Sequence, residues 1–71
     1  MVKDTKCYLV EWKKGYDLLL LDIIEVSNIF DGKAIRFTKN NGYAKFIFMK
    51  SIRSITEVDA SYMSDGILLK W

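Results

Sequence analysis

The stretch Asp17-Leu18-Leu19-Leu20-Leu21-Asp22-Ile23-Ile24-Glu25-Val26-Ser27-Asn28-Ile29-Phe30 decides the fold. Read with a spacing of three, Asp22, Glu25 and Asn28 form a polar stripe behind an Asp17 cap, the pattern of an amphipathic helix. Read as extended chain, Ile23, Ile24, Val26 and Ile29 are β-branched residues that suit a strand. The Asp31-Gly32 pair that follows also wants an incoming strand begun well before it. The extended reading is taken: one long, bent strand buried on both faces. A helix at about 17–30 is the alternative, and it would make the fold α+β.

Working outward, short polar turns cut the rest of the chain into strand-sized pieces. Asp31-Gly32 tolerates the positive φ that tight hairpin turns require, and Asn40-Asn41-Gly42 repeats that logic. Together they predict two hairpins that share the strand at 34–38, with the outer arm at 43–49. An earlier strand is expected at 7–12, a later one at 54–58 after a tight corner at 50–53, and a last piece at 67–71 entered through an Asp65-Gly66 turn. The expected fold is mainly all-β, a small antiparallel meander or curled barrel of five or six strands in a single domain, 1–71. Its core is expected from Leu9, Leu18, Leu20, Ile24, Val26, Ile35, Phe37, Phe46, Phe48, Ile52, Ile55 and Val58.

Size and composition bound what such a fold can do. With 71 residues there is room for one core, and small folds usually lean on disulfides, metals or partners. This chain has one cysteine, Cys7, and no histidine, so neither a disulfide nor a recognisable zinc site is expected, and no cofactor. Cys7 is taken as a small core hydrophobe. Hydrophobic residues make up 51% of the chain against 28% charged, which argues for a packed domain with apolar groups left near its surface and hence for self-association. No apolar run is long enough for a signal or a membrane span, and the expected compartment is the cytoplasm.

The net charge of +2 hides an uneven distribution. Between Gly15 and Gly32 stand Asp17, Asp22, Glu25 and Asp31 and no base; from Lys33 to Arg53 stand Lys33, Arg36, Lys39, Lys45, Lys50 and Arg53 and no acid. A basic hairpin interleaved with Phe37, Tyr43, Phe46 and Phe48 suits phosphate contact with stacking on bases. The nucleic-acid-binding set expected from this is Arg36, Lys39, Tyr43, Lys45, Lys50 and Arg53, with RNA or DNA as partner and a regulator as the role. Two bland readings stand beside it: the phenylalanines are core, and the acidic strand cancels the basic one across the hairpin. A different class of function, an accessory, adaptor or inhibitor protein or a homo-oligomer, would use Tyr8, Trp12, Tyr16, Tyr62 and Trp71 as interface anchors.

Three patterns in the chain resemble known families. Gly42-Tyr43-Ala44-Lys45-Phe46-Ile47-Phe48 is similar to the ribonucleoprotein motif of RNA-recognition domains, out of step by Lys45 and without that family's two helices. Asp22-Ile23-Ile24-Glu25 leading through a glycine turn to an apolar hairpin resembles the LytTR-type all-β DNA-binding domain. The long bent second strand and the tight corner before a short last one resemble an Sm-like barrel, which would imply ring-forming oligomers that bind RNA. All three rest on hydrophobic spacing common to small β-domains, and the chain is assigned to none of them.

Catalysis is not expected. Histidine, the commonest acid-base group, is missing, and Asp31 and Asp65 precede glycines and are explained by turn geometry. Neither a GxGxxG nor a P-loop pattern occurs, so no small-molecule substrate is inferred.

Overall fold

The computed structural model describes residues 4–64 and 66–71. Six strands form one open sheet: β1 (Lys6–Trp12), β2 (Asp17–Ile29), β3 (Ala34–Lys39), β4 (Ala44–Phe48), β5 (Ile52–Val58) and β6 (Leu68–Lys70). A short 3-10 turn, Met49–Ser51, makes the corner between β4 and β5. The order across the sheet is β4-β3-β2-β1-β5, antiparallel throughout, with β6 added parallel to β2. The fold is therefore mainly antiparallel all-β, and 17–29 is strand, not helix. The turn expected at Asp65-Gly66 lies partly outside the described residues.

The long strand serves two neighbourhoods because it is bent by extra residues. Between the pairs Lys6↔Ile23 and Tyr8↔Leu20, β2 spends one residue more than β1, and between Ile23↔Lys39 and Glu25↔Thr38 one more than β3. Such bulges bend a strand and shift its faces. Asp22 takes φ 56 at the first, a left-handed conformation that aspartate tolerates better than β-branched residues do. Beyond it Ile23 is buried where a simple alternation from Leu18 and Leu20 would have buried Asp22. The first half of β2 pairs with β1 and β6, and the second half with β3.

The turns follow from local chemistry. At the first hairpin Phe30, Asp31 and Gly32 all have positive φ, and the loop spans the four residues between Ile29 and Ala34. At the second, the Gly42 amide donates to the Lys39 carbonyl and the Lys39 amide to that of Tyr43, with Gly42 at φ 94. This is a type I turn closed by a left-handed glycine bulge. Gly42→Ala is expected to destabilise the domain by about 1–2 kcal/mol, because an L side chain resists that φ; a urea midpoint unchanged from the parent's would contradict this.

The curled sheet wraps its concave face around Val10, Leu18, Leu20, Ile23, Phe37, Ile47 and Ile52, with Tyr8, Trp12, Ile35, Ile55 and Trp71 packed against them. On the opposite face Leu9 and Leu19 sit side by side and are also buried. Their cover follows from topology: β5 lies beyond β1 and β6 beyond β2, so the chain joining them crosses both strands. The Ser64 hydroxyl donates to Asp17 Oδ2 at 3.4 Å on that side.

Several expected core residues are placed otherwise. Ile24 is half-buried and Val26 exposed, because the β2 bulges hand the inward position to Ile23 and leave Val26 at the rim; Val58, the last residue of β5, is also half-buried. Phe46 and Phe48 are 56% and 51% exposed, whereas Ile47 between them is 2% exposed. The register decides this: Lys45 and Ile47 lie opposite Phe37 and Ile35 on the concave side, and Phe46 and Phe48 lie opposite Arg36 and Ala34 on the convex side.

Candidate nucleic-acid interface

The hairpin bases do not share one face. Arg36 points to the convex side, where its Nη2 lies 3.6 Å from Glu25 Oε1 on the neighbouring strand. That is the cross-strand cancellation expected of an acidic strand beside a basic one. Lys39 and Lys45 lie on the concave side instead, with their Nζ atoms 4.8 and 5.2 Å from the centre of the Trp71 ring. Both distances suit cation–π attraction. Tyr43 stands beside the second turn, 70% exposed, its amide donating to Asn41 Oδ1 at 3.0 Å. Arg53 occupies the extra position of β5 opposite the end of β1 and reaches the Trp12 carbonyl at 3.4 Å.

The expected protein anchors also scatter. Tyr8 packs inward, its ring 5.6 Å from that of Phe37, and Tyr62 is half-buried in the connection from β5 to β6. Trp12, Tyr16 and Trp71 converge, together with Lys45 and Lys50 from the other set. Two adjoining grooves hold them. The first is lined by Trp12, Lys13, Lys14, Tyr16, Lys50 and Ser51. The second shares Trp12 and Tyr16 and continues between Lys45 and Phe46 of β4 and Lys70 and Trp71 at the end of the chain.

These elements meet because of the corners. The β1–β2 turn, with Gly15 at φ 103, projects Lys13 and Lys14 next to the 3-10 turn that carries Lys50, and the Lys13 amide donates to the Ser51 carbonyl at 3.1 Å. Pairing of β6 with β2 brings Lys70 and Trp71 alongside; the Trp71 amide donates to Leu19 and the Leu21 amide to Trp71, at 2.9 and 2.8 Å. Five lysines, Lys13, Lys14, Lys45, Lys50 and Lys70, and no aspartate or glutamate side chain line the joined trough. The indole nitrogen of Trp12, in the shared wall, is buried and has no hydrogen-bond partner among the described residues.

Lys13, Lys14 and Lys70 were not singled out by sequence reasoning. Lys13 and Lys14 sit at a turn, where lysine is unremarkable, and nothing local to Lys70 says that β6 returns to the start of β2. Among the described residues no three carboxylates or thiols come together to hold a metal ion. Among the described residues no helix is long and apolar enough to cross a membrane.

Fold and site define a small all-β domain with a cationic, aromatic-walled trough. Comparisons with protein families, with curated proteins and with solved structures find no match.

Proposed function

We propose that this chain is a non-catalytic binding domain for single-stranded nucleic acid, held in the trough that Trp12 and Tyr16 join. One observation carries the reading: the trough walls combine five lysines with exposed ring surface and carry no aspartate or glutamate side chain. Lysines neutralise phosphates and release their counterions, and aromatic faces accept bases of any sequence. A duplex hides its base faces, so an unpaired strand suits rings set in a groove. The face differs from the hairpin set: Lys45 and Lys50 remain, Lys13, Lys14 and Lys70 join them, and Arg36 is engaged by Glu25 on the far side.

The test is anisotropy of a short fluorescent single-stranded oligonucleotide titrated at low and moderate salt. If all five lysines meet phosphates, the logarithmic salt slope is about −3.5, a loss of roughly a hundredfold between about 50 and 200 mM salt. Absence of binding at the lower salt, or binding that ignores salt, rejects the proposal. A duplex of the same sequence is expected to bind at least about tenfold more weakly, since it offers phosphates without stacking.

A further inference from the structure

β4 is an edge strand, paired to β3 alone. Its phase is fixed by the bonds from the Lys39 amide to the Tyr43 carbonyl and from the Met49 amide to the Lys33 carbonyl. In an antiparallel ladder the inward and outward residues then alternate: Tyr43, Lys45, Ile47 and Met49 bond to β3, and the backbone groups of Ala44, Phe46 and Phe48 point away from it. Those three residues are all exposed; the Phe48 carbonyl caps the 3-10 turn that follows, and the outward groups of Ala44 and Phe46 face away from β3. Proteins protect such an edge with proline, a bulge or a covering loop. β4 has neither proline nor bulge, and its one charge, Lys45, is turned to the concave side.

Beside this edge lies a run of exposed apolar side chains. Phe30 and Phe48 are stacked with centres 6.2 Å apart, and Phe46 and Met49 flank them. We propose that a second copy of this chain covers the edge, β4 pairing antiparallel with β4 about a two-fold axis through Phe46. The strand is self-complementary in that register. Phe46 faces its own copy, the bulk of Phe48 meets the small Ala44, and Lys45 faces Ile47, so no lysine opposes a lysine across the axis. Each outward amide and carbonyl gains a reciprocal partner, as an isologous contact requires.

The size of the contact sets its strength. Half-exposed rings contribute on the order of 100 Å² each, and with the strand edge the contact reaches several hundred Å² per copy, below the roughly 800 Å² of a standard interface. The dimer is therefore expected to be a weak one.

The experiment is sedimentation velocity on the purified chain from about 1 to about 500 µM, without nucleic acid, so that it is independent of the trough. The wild type is expected to pass from monomer to dimer over that range. Phe46→Lys and Phe46→Glu each place like charges across the axis and are expected to remain monomeric alone, while an equal mixture of the two associates. Circular dichroism confirms that both fold. As a further variant, Phe46→Pro removes only an outward amide that the β3 ladder does not use, and it too is expected to be monomeric. A wild type that is monomeric throughout overturns the proposal. So do variants that associate as the wild type does, or a mixture that fails to associate.

Discussion

Truncating Phe37 to alanine is expected to leave about half of the chain or more unfolded at 25 °C. Phe37 is the largest fully buried side chain, at the centre of the concave face, with Tyr8 tilted against its ring and Ile35 and Ile47 beside it. Removing a buried phenylalanine costs about 3–5 kcal/mol, through lost transfer energy and the cavity left behind. A single core of this size supplies about 3–5 kcal/mol in total, so the loss consumes nearly all of it. Phe46→Ala supplies the contrast: the same chemical change at a half-exposed edge position is expected to cost under about 1 kcal/mol. Urea unfolding followed by tryptophan fluorescence measures both. Equal midpoints for the two variants would mean that the register of β4 on β3 is wrong.

That contrast also shows what the sequence could and could not reveal. Alternation along 43–49 separates two faces and does not say which is inward. Two phenylalanines argue for the Phe46 and Phe48 face; the decision belongs to the partner strand, where Phe37 already fills the centre and leaves room opposite it for Lys45 and Ile47. Turns were legible because their chemistry is local: Asp31-Gly32 and Asn40-Asn41-Gly42 both close hairpins, although the first loop recruits Phe30 and Lys33 as well. The β2 stretch was legible as strand from its β-branched residues, but its inward set was not. Two bulges break the period, and only pairing with β1 and β3 reveals them. The trough was least legible of all. It joins a turn at 13–16, a corner at 49–51 and the end of the chain, and no window of sequence contains two of those pieces. The fold brings Trp12, Tyr16 and Trp71 beside Lys45 and Lys50, so aromatics and lysines far apart in the sequence share one surface.

Changing Lys13, Lys14 and Lys50 together to glutamine is expected to reduce single-strand affinity by more than tenfold at about 100 mM salt and to flatten the logarithmic salt slope by about 2, from roughly −3.5 to −1.4. The three line one groove and all are exposed, so glutamine removes charge with little loss of packing. The fold should survive: the Lys13 contact to Ser51 is made by its backbone amide, which the substitution keeps. Arg36→Gln is the informative control. It deletes a cation from the middle of the basic hairpin, but on the convex face and beside Glu25, and it is expected to leave affinity and slope within twofold of the parent. The pair of variants discriminates between two surfaces for one ligand chemistry. If the triple variant binds normally and Arg36→Gln does not, the strand lies across the outside of the hairpin and the trough is not the site. If both weaken equally with parallel salt slopes, the ligand responds to overall charge, and the rings of Trp12 and Tyr16 have no part in holding it. Only loss in the triple variant with retention in Arg36→Gln supports a strand threaded past those two rings.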